Sequence, residues 1–322
     1  MALMTGCFKE DEMIAPHPRG DVQTDTISMM QDYRNQVYFR LDSGIVAGSV
    51  PKISTDLGFE CGPSGWKIIL NTADFMEVAD LGVVPFGQPT DTSGLNWTFD
   101  KSDGNPDSLA FGNWFRVDQG DTISKNHVYI VNRGIDAAGN QLGYVQLIFD
   151  SLTNRTYYFR WAGLTGSNPV SAEVLADPSV SYTWYRFSDG GIPVNPEPVR
   201  TDFDLLFTQY TTLLFTDLGE AYPYLVTGVL LNRYLVEAAA DSIRAFSEIT
   251  FETAQTLRFS TALDAIGYDW KYYDFETGAY TVYTEKNYVI RSVSGFYYKL
   301  RFIGFYNNQG AKGYPVIEYQ RL

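Results

Sequence analysis

The residues able to do chemistry in this chain are few, and the aromatic ones dominate. Tyr268, Trp270, Tyr272, Tyr273, Tyr280 and Tyr283 crowd one short stretch. A Tyr phenolate is an iron ligand, and aromatic planes stack on flat ligands. Tyr268, Trp270, Tyr272, Tyr273 and Tyr280 are therefore the candidate ligand-binding residues. The same spacing also suits the core and surface aromatics of a Tyr-rich sheet. No metal-ligand set is read from the sequence. Of the two histidines, His17 falls in a polar N-terminal stretch and His127 in a strand. Met76 is read as the one Met in the folded part, since the others lie at or before Met30. Cys61 ends a strand and reads as a small buried thiol.

Catalytic patterns are lacking. No Gly-x-Ser-x-Gly elbow surrounds a serine, and Gly-rich stretches lack the strand–Gly–helix setting of a phosphate or dinucleotide loop. The acidic loops around Asp91 and over Lys101–Asp107 lack the closing Glu of a calcium loop and read as solvated turns. A carboxylate pair for glycoside cleavage is a matter of distance, which sequence does not give. The reading is of a binding protein and not an enzyme.

Composition sets the frame for these residues. The 322-residue chain has 23 Tyr and 21 Phe, and a net charge of −14. Short alternating runs rich in Tyr and Gly point to an all-β extracellular protein. The acidic balance disfavours nucleic acid, whose phosphates need Lys and Arg. Two cysteines give neither a disulfide framework nor a zinc spacing. No run of apolar residues is long enough for a membrane-spanning helix.

The elements that must position the aromatics are strands. Lys286–Arg291, Gly295–Ile303 and Tyr314–Tyr319 form a closing meander, which needs a second layer over its apolar face. Asp56–Cys61 and Trp66–Asn71 read as a hairpin. Lys125–Val131, Leu142–Phe149 and Tyr157–Trp161 make an earlier meander. Glu237–Ala254 reads equally as a short helix or as a loop with one turn. The Gly/Pro text at 191–198 is the linker between two domains.

The two halves answer each other. Asp56-Leu57-Gly58-Phe59 matches Asp204-Leu205-Leu206-Phe207, and Ile69-Leu70-Asn71 matches Leu230-Leu231-Asn232. Lys125-Asn126-His127-Val128 matches Lys286-Asn287-Tyr288-Val289, with Trp114 and Trp270 each preceding the Lys. A duplication explains the shared order. It aligns His127 with Tyr288. The expected fold is all-β: two related antiparallel β-sandwich or meander domains at 33–190 and 199–322, with room for one short helix in the second.

The N-terminus and the closing strands carry a family resemblance. Leu3-Met4-Thr5-Gly6-Cys7 is similar to the end of a bacterial lipoprotein signal, with Cys7 the lipidated residue and 1–7 the signal remnant. Phe8-Lys9-Glu10-Asp11-Glu12 resembles a lipoprotein surface-export signal, and residues 8–32 read as a tether. With Val37-Tyr38-Phe39, the Asp-Leu-x-Phe strand, Lys286–Ile290, Tyr298–Phe302 and Tyr314–Tyr319, the chain resembles the HmuY family of Bacteroidota. The resemblance implies a haem-binding lipoprotein anchored by lipid at the cell surface of the outer membrane. Such a protein passes haem, for iron acquisition, to an outer-membrane β-barrel partner, a TonB-dependent receptor. Family members hold the iron with His or Met near the Trp strand. Trp114–Gln119 and Trp270–Phe275 carry neither. An alternative is therefore kept: an accessory lipoprotein that docks on a barrel complex, or binds a protein or glycan, with the haem site lost.

Overall fold

The computed structural model describes residues 20–62, 65–119 and 121–322. Cys7 and His17 lie outside this range. The fold is all-β. Its strands begin with β1 (Gln23–Thr26), β2 (Asn35–Arg40), β3 (Ile45–Pro51), β4 (Leu57–Glu60), β5 (Ile68–Leu70) and β6 (Glu77–Asp80). There follow β7 (Phe115–Asp118), β8 (Asp121–Ser124), β9 (Val128–Asn132), β10 (Tyr144–Thr153) and β11 (Thr156–Gly163). The next run is β12 (Val170–Leu175), β13 (Tyr182–Arg186), β14 (Ile192–Val194), β15 (Leu205–Phe215) and β16 (Ala221–Leu231). It continues with β17 (Glu237–Asp241), β18 (Lys271–Asp274), β19 (Ala279–Val282), β20 (Asn287–Arg291), β21 (Tyr297–Tyr306) and β22 (Lys312–Arg321).

Two sandwiches result. In the first, the sheet β12-β11-β10-β9-β6 faces β14-β13-β4-β5, and Phe59, Trp114, Leu147 and Phe149 fill the space between. In the second, β1-β22-β21-β20-β17 faces β16-β15-β2-β3 around Phe39, Phe207, Trp270, Leu300 and Phe302. Strand β22 alternates buried and half-buried residues along most of its length, the pattern of an antiparallel strand with one face on a core. The segment Glu237–Ala254 holds β17, a 3-10 turn at Phe246–Glu248 and one α-helical turn at Phe251–Ala254, α1. Thr250 caps that turn by accepting the Thr253 N–H.

The strand numbers hold a simple rule. Adding or subtracting eleven turns every sheet of one sandwich into its counterpart in the other. Strands β1–β11 and β12–β22 are thus two copies of one unit, in the same order. Neither copy closes on itself. The first three strands of each copy complete the sandwich built by the rest of the other. Strand β1 pairs with β22 and β2 with β15, while β12 pairs with β11 and β13 with β4.

Local bonding repeats with this symmetry. The Asp56 N–H donates to Tyr185 O and the Asp204 N–H to Phe39 O, both at 2.8 Å. Asn71 N–H donates to Asp56 O and Asn232 N–H to Asp204 O, both at 2.9 Å. Each Asn amide also reaches two main-chain carbonyls, Lys52 and Thr55 in one case and Arg200 and Phe203 in the other. The ladder shifts register directly after Phe149 in β10 and after Phe302 in β21, a bulge kept in both copies.

Two details of the sequence reading change. Strands β1–β3 lie in the spans drawn as tether and first domain, yet they pair with strands of the second sandwich. The Lys125–Lys286 match is two residues out of register. Val78 bridges Thr98 and pairs with Val131, whereas Ala238 bridges Ser260 and pairs with Ile290. Val131 therefore answers Ile290, His127 answers Lys286 and Tyr129 answers Tyr288. A slip of two keeps every side chain on its face, so the hydrophobic pattern alone did not expose it.

Candidate ligand-binding site

The predicted aromatic stretch is the hairpin β18–β19 and its approach. Trp270 stands at the base. It is fully buried, stacks on Phe302 at 3.9 Å with 9° between planes, and donates its indole N–H to Gly267 O. The approach lies close against β16 because residue 228 is Gly. A Cβ there would meet Gly267 O at 2.5 Å, and the Val229–Gly267 bridge would open.

Beyond Trp270 the hairpin stands as two strands. Tyr272 pairs with Thr281 and Tyr273 with Tyr280. Adjacent residues of a strand point to opposite faces. On one face Tyr273 meets Tyr280 at 4.9 Å, and Tyr280 meets Phe305 at 4.9 Å. On the other, Tyr272 meets Tyr283 at 5.2 Å. Tyr272 and Tyr273 are exposed, Tyr268 and Tyr280 half-buried. The five predicted residues thus divide: Tyr273 and Tyr280 share a face, Tyr272 lies opposite, Trp270 is sealed in the core, and Tyr268 stays half-buried on the approach before β18.

The electrostatics of this region favour stacking over ligation. Burial raises the pKa of Tyr280 and of Tyr268, the latter helped by Asp269. A phenolate ligand needs the opposite shift. Beneath the Tyr280 face lies Lys271, 7% exposed, with Nζ 4.2 Å from the Trp270 ring centroid and 4.9 Å from that of Phe305. It donates to Thr227 O. Burial pushes its pKa down to about 7, against a weaker upward pull from Asp269.

The expected soft and imidazole ligands are engaged elsewhere. His127 Nδ1 lies 2.8 Å from Asp80 Oδ2. Met76 is completely buried in the first core. Met29, read as part of the tether, is completely buried in the second core, because the segment after β1 is folded there. Met30, 40% exposed, places Sδ 3.8 Å from Tyr314 Oη. Cys61 is buried with Sγ 3.2 Å from Thr183 Oγ1, and burial raises its pKa. Among the described residues no three His, Cys, Asp or Glu side chains group as a metal site.

Sequence reasoning missed several groups at the Tyr280 face. Tyr33 comes from the exchanged N-terminal segment, and burial, with Tyr280 nearby, raises its pKa. Lys312 Nζ lies 5.3 Å from the Tyr33 ring and 6.0 Å from that of Tyr280. Tyr306 Oη accepts the Tyr280 N–H. Only the exchange brings Tyr33 here, and strand order gives no local signal for it.

Comparison with known proteins was made against this geometry. No curated protein matches the chain. Apo PinO from Porphyromonas gingivitis aligns over 94% of this chain and 98% of its own, at 9% identity and a TM-score of 0.31. The apo HmuY analog TFO of Tannerella forsythia aligns over 94% and 97%, at 9% identity and a TM-score of 0.27. A Bacteroides vulgatus protein described as an HmuY-like heme binding protein aligns over 54% of this chain and 90% of its own. That pair shares 14% identity and a TM-score of 0.23. The family model of the HmuY protein runs through residues 32–319 of 322, and the protein belongs to the HmuY family.

Proposed function

We propose that this protein is a surface-anchored lipoprotein that binds a haem-type planar ligand and hands it to a TonB-dependent outer-membrane receptor. Family membership supports the haem-binding class. The observation that carries the site is the Tyr273–Tyr280 face, where an exposed and a half-buried ring meet on one hairpin. Tyr faces give large contact area for little lost side-chain freedom. Stacking, and not a His–Met pair, is then the main source of affinity. The Cys7 motif supplies the lipid anchor in this reading.

Haem titration of the chain beginning at Cys7, read by Soret absorbance, tests it. A saturable shift at one haem per chain, weakened in Tyr273→Ala, is the expected result. A spectrum no different from haem with an unrelated acidic protein overturns it.

A second reading is favoured by the engaged ligands. With His127 held by Asp80 and Met76 sealed in the core, the protein would be an accessory lipoprotein docking on an outer-membrane barrel. Recovery of a stoichiometric, pigment-free barrel complex from detergent-solubilised membranes supports this alternative. Recovery only as free protein counts against it.

A further inference from the structure

The two sandwiches meet across the outer faces of β4–β5 and β15–β16, and the contact leaves a partly open cavity of about 120 Å3. Its walls are mainly apolar, with Ile69, Leu206 and Leu230 among them. Several polar groups also line it, and three bear on the argument. The Tyr210 and Ser181 side chains, 1% and 6% exposed, have hydroxyl oxygens without a hydrogen-bond partner among the described residues. A buried hydroxyl left unpaired is costly and is rarely left so.

The third group is Arg233. Its Nη1 donates to Gly104 O at 2.9 Å. Its guanidinium lies over the rings of Tyr182, at 5.3 Å, and Tyr234, at 5.8 Å. Tyr234 is 59% exposed, and Arg233 is half-buried. Among the described residues no carboxylate lies within ion-pair distance of it. The nearest acids that line the cavity are already engaged. Asp100 accepts the N–H groups of Leu70 and Ala110, both at 2.7 Å. Glu197 accepts the Ser181 N–H at 3.1 Å and the Trp184 indole at 3.3 Å. Burial raises both acids, Asp100 to about 6 and Glu197 to about 7, which lessens their repulsion of an anion.

We propose that this cavity is a binding site for a short aliphatic monocarboxylate. The carboxylate sits on the Arg233 guanidinium, whose planar fork matches two carboxylate oxygens. The hydrocarbon part packs on Leu206 and Leu230. Size limits the ligand. A cavity near 150 Å3 takes a benzene ring, so this one takes roughly five or six heavy atoms. Phosphate fits less well, because it has no apolar part for the walls and brings more charge toward Asp100 and Glu197. A porphyrin is far too large, so this site is separate from the hairpin face.

Titration calorimetry of the full chain with butyrate, butyramide and inorganic phosphate tests the proposal. Saturable binding of butyrate at one per chain is expected, with butyramide and phosphate each roughly tenfold weaker or more. In Arg233→Met, butyrate binding falls by a similar factor. Leu230→Phe fills the cavity and abolishes binding while keeping the cation, which covers the case in which Arg233→Met fails to fold. Unchanged butyrate binding in Leu230→Phe overturns the site. Equal binding of the amide overturns the role of Arg233. No saturable heat with butyrate means that the cavity holds only water, and it overturns the whole.

Discussion

The Asp204 carboxylate accepts the Leu41 N–H at 2.8 Å, across 163 residues of chain. Its other oxygen accepts the Val293 N–H at 2.7 Å. One buried side chain thus ties the exchanged β1–β3 segment to the sandwich it completes. In the first sandwich Asp56 does the same with the Phe187 N–H and adds a bidentate contact to Arg133. Asp204→Ala leaves two main-chain donors unpaired, which costs about 3 kcal/mol. The expected result is a lower midpoint in urea and faster proteolysis between β3 and β4. An unaltered midpoint would mean that the core holds the segment without this tie.

The exchange predicts which pieces fold alone. The first sandwich is continuous in sequence, from β4 to β14, whereas the second lacks β1–β3 unless the N-terminus is supplied. A fragment of residues 55–198 is expected to give dispersed amide NMR signals. A fragment of residues 199–322 is not, because the second core then loses Ile27, Met29, Val37, Phe39 and Leu41. Adding residues 20–51 as a peptide restores the signals. Cooperative folding of 199–322 by itself would contradict the exchange.

Much of this architecture was legible in sequence because it is carried by local pattern. The Asp-Leu-x-Phe strands, the Leu-Asn strand ends and the Trp residues mark equivalent positions in both copies, and the structure keeps them equivalent. What was not legible is non-local. Nothing in Val37–Leu41 says whether it pairs with Leu57 or with Leu205, since either strand offers the same alternating face. The candidate site suffered likewise. The aromatic run was visible, but the division among Trp270, Tyr272 and Tyr273 depends on where the β18–β19 hairpin begins. Tyr33 and Lys312 reach Tyr280 only through the exchange.

That division predicts opposite costs for neighbouring residues. Trp270→Ala removes a fully buried ring stacked on Phe302 and costs about 3–5 kcal/mol. Tyr272→Ala, on the exposed face, changes stability by about 0.5 kcal/mol or less. Thermal unfolding of the two variants checks this. Similar losses in both would place Tyr272 in a core that the hairpin geometry does not give it.

Three acids near the sandwich contact predict an unusual pH profile. Burial raises Asp74 to about 7, Asp100 to about 6 and Glu197 to about 7. The folded state then binds more protons than the unfolded chain from the ordinary carboxylate range up to about pH 7. Stability from these groups falls as pH rises through that window. The urea midpoint is expected to be higher at pH 5.5 than at pH 7.5, and Glu197→Gln to lessen the difference. A midpoint that rises steadily from pH 5.5 to 7.5 would show that these acids ionise normally.

Lys271 acts in the opposite range. Its amine is buried among Trp270, Phe305 and Tyr280 and has a pKa lowered to about 7. Below that value both folded and unfolded chains carry the charge, and the folded state bears the full burial penalty. Between about pH 7 and the ordinary lysine value the unfolded chain holds a proton that the folded chain has shed, so stability rises with pH. Lys271→Met keeps the length and removes the charge. It is expected to raise the melting temperature most at pH 6.5, with a smaller gain at pH 9.5. A gain that does not change with pH would come from packing alone. A loss at both values would mean that the donation to Thr227 O holds the hairpin more strongly than burying the cation weakens it.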